Sequence, residues 1–253
     1  GRYELQEVEE ISYIPMENGA PYTGDLFIKK VLNPEFNYPS GTEGVYATIT
    51  AAVNDLNLRG VGGATSFLLT DAAYTTETLP IVVNIISASL PSAVNTVTIR
   101  PNASVTASIT GASATAQVFR IRNSYVTIDG SNSGGTDRSL TIENTSVTTP
   151  QVVSFNSSGA TPLVGGGIRN CNLINGVNTS SALVLVDLAG TAGYFNNMTI
   201  QNNSIQKAYI GIFCNAFVAA GNGSGLLIAG NDLSTIGANS VRYTGIYVQG
   251  HDG

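Results

Sequence analysis

The chain has 253 residues, of which 43% are hydrophobic and only 11% charged, and it carries a net charge of −6 with a pI near 4.7. Aliphatic and β-branched residues are too plentiful for a disordered chain, and Gly, Ser, Thr and Asn take the place of the missing charges, as suits short strands broken by tight turns. The 11 Lys and Arg are single except for Lys29-Lys30, so no basic stripe can track a nucleic-acid backbone, and no run of about 20 apolar residues offers a transmembrane helix.

The opening Gly1-Arg2-Tyr3-Glu4 is not a signal peptide, so the chain is expected to be a cytosolic protein, a mature secreted protein or a fragment. Eight of the 17 carboxylates precede Tyr46. Residues 1–43 show no clear periodicity; Val8–Ile14 and Asp25–Leu32 read as candidate strands, punctuated by Pro15, Pro21, Pro34 and Pro39. This segment is expected to be an extended lead-in or linker, with a single domain over residues 44–253.

A helix is predicted at about 48–58. Thr48 is a natural N-cap, Ile49, Val53 and Leu56 fall on one face beside Ala52, and Gly60 stands where a C-terminal glycine ends a helix. One amphipathic helix ahead of a long β region suits the plug of an open solenoid end. Strand follows strand after it: Ser66–Thr70, Ile81–Ile86, Thr96–Pro101, Gln117–Ile121 and Tyr125–Gly130, then a Gly/Ser/Asn loop over Ser131–Asp137.

A short phrase then recurs: Ile142-Glu143-Asn144-Thr145-Ser146-Val147, Ile168-Arg169-Asn170-Cys171-Asn172-Leu173, Ile200-Gln201-Asn202-Asn203-Ser204-Ile205 and Ile228-Ala229-Gly230-Asn231-Asp232-Leu233. Its leading isoleucines are 26, 32 and 28 residues apart. A second strand type alternates with it at Val152–Phe155, Leu183–Val186, Ile210–Phe213 and Gly245–Val248. Repeats of this length with no helix between them exclude a βαβ fold, and propeller blades need four strands over 40 or more residues. An all-β, right-handed parallel β-helix is expected, each coil adding one strand of each type. No atypical capping unit follows Thr244–Val248, so the coils are expected to run on beyond Gly253.

The asparagines of the phrase, Asn144, Asn170, Asn202 and Asn231, are expected at turns, where Asn tolerates left-handed backbone and stacked side chains bond up and down a column. Glycosylation is the rival reading, through sequons at Asn102, Asn144, Asn156, Asn178, Asn197, Asn202 and Asn222. Cys171 and Cys214 lie in apolar segments and are expected to be buried thiols, with a disulfide left open.

Candidate chemistry is sparse. Glycoside hydrolysis needs two carboxyls about 5–10 Å apart, and the candidates are Asp129, Asp137, Glu143, Asp187 and Asp232. Asp129 and Asp137 flank one loop and are expected to meet at its base with Arg138, as a structural staple. A lyase needs a Lys or Arg beside acidic Ca²⁺ ligands; Arg169 and Lys207 show no acidic cluster in the sequence. His251 is the only histidine. Gly165-Gly166-Gly167 lacks the context of a phosphate loop, and Gly221–Gly225 reads as a turn. Tyr194, Tyr209, Tyr243 and Tyr247 are candidates for a sugar-stacking surface or for ordinary packing.

Two stretches carry a resemblance: Tyr46–Asn57 leading through Gly60 into Thr65–Asp71, and Tyr125–Ser131 running to Arg138–Asn144. Residues 44–253 resemble the β-helix modules of large secreted and surface proteins of the Bacteroidetes, many exported by the type IX secretion system. The resemblance implies a secreted or outer-surface location and no particular enzyme. The expected function is a non-catalytic structural or adhesive module. Its expected partners are polysaccharide or other cell-surface components and further domains of the same chain, with no cofactor, metal or nucleic acid. The competing expectation is a carbohydrate-active β-helix, a polysaccharide lyase or glycoside hydrolase, whose mark is a groove with clustered carboxylates or an Arg/Lys–Ca²⁺ set.

Overall fold

The computed structural model describes residues 37–40, 46–114 and 116–252. The strands expected at Val8–Ile14 and Asp25–Leu32 lie outside the described residues. Strand β1 (Asn37–Ser40) precedes helix α1 (Ile49–Arg59). Thr48 caps the helix, its Oγ1 accepting the Ala51 N–H at 3.0 Å, and Ile49, Ala52, Val53 and Leu56 form the buried stripe. Gly60 ends it at φ 72°, and a Cβ there would stand 2.1 Å from the Ser89 carbonyl, so only glycine fits.

Six coils follow. The first holds β2 (Thr65–Leu69), β3 (Ala73–Tyr74) and β4 (Ile81–Val83), and the second β5 (Val97–Pro101), β6 (Ala107–Gly111) and β7 (Phe119–Ile121). The third holds β8 (Val126–Asp129), β9 (Leu140–Asn144) and β10 (Val153–Ser157). The fourth holds β11 (Leu163–Val164), β12 (Gly167–Arg169), β13 (Cys171–Ile174) and β14 (Leu183–Asp187). The fifth holds β15 (Phe195–Asn196), β16 (Thr199–Gln201), β17 (Ser204–Gln206) and β18 (Ala208–Asn215), and the sixth β19 (Leu227–Ala229) and β20 (Val241–Gln249).

Equivalent strands stack in parallel into three faces. Face I is β1-β2-β5-β8-β12-β16-β19, face II is β3-β6-β9-β13-β17, and face III is β4-β7-β10-β14-β18-β20; β11 and β15 pair beside face I. The fold is an all-β parallel solenoid with one short helix ahead of the coils, as expected. Inward side chains pile in columns, Phe67, Ile99, Ile128, Ile168 and Ile200 on face I and Ile109, Ile142, Leu173 and Ile205 on face II. Face III adds Val83, Ile121, Phe155, Leu185 and Cys214. These side chains are buried, and each adds about 1.5–3 kcal/mol of transfer free energy.

The coil has three strand types, not the two read from the sequence. The phrase Ile168–Leu173 is a corner: a face I strand, Asn170 at the bend, then a face II strand. Ile142 is therefore not the partner of Ile168; the register pairs Ile168 with Ile128, and Ile142 with Leu173. The third coil conceals this because ten residues, 130–139, separate β8 from β9, where a single residue separates β12 from β13.

Helix α1 closes the first coil against face III. The Asn57 amide donates to the Val82 carbonyl at 2.7 Å and accepts the Asn84 N–H at 2.8 Å. Glu77, in the loop between β3 and β4, accepts the Ile49 and Thr50 N–H groups at 2.9 and 2.7 Å, a second N-terminal cap.

Candidate functional site

Three of the charged candidates, Asp129, Asp137 and Arg169, gather at the corner between faces I and II. Parallel register sets Asp129, the last residue of β8, beside Arg169, the last of β12. Asp129 Oδ2 accepts Arg169 Nε at 3.0 Å and lies 2.9 Å from Nη2. Its Oδ1 accepts the Asn170 amide at 2.7 Å and the Ser131 N–H at 3.1 Å. The side chain is only 7% exposed, so these donors replace its lost water. Arg169, beside which the sequence shows no acidic cluster, holds one carboxylate through the register of the coils.

Asp137 closes the loop from its other end. Oδ1 accepts the Asn132 N–H at 2.9 Å and Ser139 Oγ at 2.8 Å; Oδ2 accepts Ser131 Oγ at 2.6 Å and also Ser133 Oγ. The Ser131 hydroxyl, then that of Ser133, holds this carboxyl far below the usual carboxylate range. Ser131 binds both carboxylates, its N–H to Asp129 and its hydroxyl to Asp137. The two acids do meet at the loop base, but the arginine beside them is Arg169. Arg138 points away: Nε and Nη2 donate to the Asn202 carbonyl and Oδ1 at 2.9 and 3.0 Å, and Nη1 lies 3.8 Å from Asp232 Oδ2.

The other carboxylates do not join this cluster. Asp232 accepts the Ser234 hydroxyl and N–H, which lower its pKa. Asp187 closes a turn by accepting the Thr191 N–H at 2.9 Å. Glu143 stands on β9 between Thr110 and Ile174, with no hydrogen bond or salt bridge of its own side chain among the described residues. Lys207 forms no salt bridge among the described residues, and no group of three His, Cys, Asp or Glu among them is placed to hold a metal ion.

The asparagines serve two different corners. Asn170 and Asn202 occupy the face I–II bend with φ of 58° and 51°, and the Asn202 amide donates to Asn170 Oδ1 at 2.8 Å. Beside them Asn203 bridges back to the fourth coil, accepting the Cys171 N–H at 3.1 Å and donating to the Ile168 carbonyl at 3.1 Å. Asn231 repeats this one coil later on Asn203 and Ile200. Asn144 belongs to the face II–III bend, where its amide donates to the carbonyls of Ser113, Ala116 and Gln151 and its oxygen accepts the N–H groups of Ser113 and Ser146. Asn144, Asn156 and Asn222 are buried, which suits the structural reading of these sequons. Asn203 was invisible as a distinct role because it adjoins Asn202 in the same phrase.

Cys171 and Cys214 are free and buried; burial pushes the Cys214 thiol up to about 12 and the Cys171 thiol higher still. His251 packs its ring over Phe195 at 6.2 Å, and burial lowers its pKa.

The tyrosines stack on aromatic neighbours. Tyr209 lies on Tyr243 at 4.7 Å and 3°, Tyr247 on Phe213 at 5.1 Å and 15°, and Tyr194 on Phe217 at 5.5 Å and 25°. The first two separations match the spacing of neighbouring strands, about 4.8 Å, so these rings turn faces to each other along the solenoid axis. A shallow cavity of about 280 Å³ opens on face I between Thr127 and Thr199, floored by Gly165–Gly167 and bordered by Arg169 and Asn197. Gly167 has φ 153°, and a Cβ there would lie 1.9 Å from the Thr199 carbonyl. Close approach of two backbones therefore explains that glycine.

No family model, curated protein or solved structure matches the chain.

Proposed function

We propose that the chain is a non-catalytic structural or adhesive β-helix module of a large secreted or cell-surface protein, of the kind exported by the type IX system in Bacteroidetes. The observation that carries this reading is the bonding of Asp137. A glycosidase needs one carboxyl that keeps its proton near neutral pH to protonate the leaving oxygen. Of the two acids that meet at the loop, Asp137 is fastened by four donors that hold it ionised, and Asp129 is bound to Arg169, Asn170 and Ser131. Both are used to shape a corner.

The carbohydrate-active reading rests on the face I cavity, where Arg169 keeps N–H groups beyond those given to Asp129. A panel of acidic and neutral polysaccharides decides between the two. The chain is expected to release no new reducing ends and no unsaturated uronates, with or without retention on the intact polymers. Release that disappears in Asp129→Asn or Glu143→Gln overturns the proposal.

A further inference from the structure

Each coil of a solenoid normally touches only its neighbours, so end coils open first and unfolding travels along the axis. Hydrogen bonds among the described residues keep to that rule, reaching at most the 41 residues between Asn170 and Asp129, with one group of exceptions. All of these start from the long corner between β8 and β9. Arg138, in the third coil, holds Asn202 of the fifth through Nε and Nη2 at 2.9 and 3.0 Å, and Asn202 returns a bond to the Thr136 carbonyl at 2.7 Å. These partners are 64 and 66 residues apart. The same guanidinium lies 3.8 Å from Asp232 of the sixth coil.

The loop is built to make this reach. Its near end is tied to the second coil by the Asn132 amide on the Val105 carbonyl at 2.8 Å. Its middle passes the fourth coil, where the Asn170 amide meets the Gly135 carbonyl at 3.4 Å. The fourth coil turns this corner with one residue, so it presents little bulk under the loop. Asp137 gathers Ser131, Asn132, Ser133 and Ser139 and fixes the shape from which Arg138 extends.

We propose that Ser131–Arg138 is a strap laid along the solenoid axis that couples coils three to six into one cooperative unit. Without it, the fifth and sixth coils open independently of the third. The proposal concerns the coupling of coils and holds whatever surface the module adheres to.

Hydrogen exchange of the full chain tests it. In Arg138→Ala, amides of β16 to β20 are expected to exchange about tenfold faster or more, as fits the loss of charged hydrogen bonds, while β2 to β7 keep their rates. Unchanged rates in the fifth and sixth coils overturn the strap, and so does an equal acceleration along the whole chain. Should Arg138→Ala fail to fold, Asn202→Gly decides the matter: glycine accepts the left-handed backbone at φ 51° while the side-chain ties to Thr136 and Arg138 are lost together with the one to Asn170. The same end-selective acceleration is expected, and its absence overturns the proposal.

Discussion

At the scale of single residues, polar side chains do the work of missing backbone pairs. A solenoid corner leaves peptide groups that no ladder strand can satisfy, and a buried one left unpaired costs about 1–3 kcal/mol. Asn144 is fully buried and meets five such groups with one amide. Replacing it by Ala is expected to lower stability by about 3 kcal/mol or more, since several groups lose partners together. Urea unfolding checks this, with a loss below about 1 kcal/mol contradicting the role given to Asn144. That asparagine turns corners and bonds along the axis was legible in the sequence. Which corner was not: Asn144 and Asn170 both follow an Ile-x pair, and only the register separates them.

At the scale of elements, α1 and its caps show what local signals contain. Thr48, the Ile49–Val53–Leu56 stripe and Gly60 are contiguous, so their physics could be read directly. The cap from Glu77 could not, because 27 and 28 residues separate it from its partners Thr50 and Ile49. Glu77→Ala is expected to destabilise the domain by about 1–2 kcal/mol, the scale of an N-terminal cap and its helix dipole. Denaturant titration beside Thr48→Ala checks it; no change would show that Thr48 alone caps the helix. The first two face II strands, β3 and β6, were missed for a related reason. Ala107–Gly111 carries one large aliphatic residue, Ile109, and Ala73–Tyr74 is two residues long. Such strands have too little apolar surface to announce themselves and exist because the neighbouring coil supplies their ladder partners.

At the scale of the whole molecule, the described strands pile their buried apolar residues in interior columns, and the charges that pair across coils sit at the corner between faces I and II. Asp129 with Arg169 joins the third and fourth coils, and Arg138 joins the third to the fifth and sixth. That the chain repeats as a solenoid and carries one helix was visible from patterning, whereas the polar corner depended on register and on the path of one loop. An ionisable group held ionised for shape cannot also serve as an acid at neutral pH. For Asp137 and Asp232 the folded pKa is depressed, so each contributes stability above its unfolded value of 3.8 that is lost as pH falls through the folded value. Titration of all the Asp and Glu carboxyl carbons by ¹³C NMR tests this use of charge most directly. Asp137 is expected to stay ionised well below the ordinary carboxylate range, and Asp232 to titrate below its ordinary value, while the fold persists. A carboxyl anywhere in the solenoid that takes up its proton near neutral pH would contradict the scaffold account and mark a general acid.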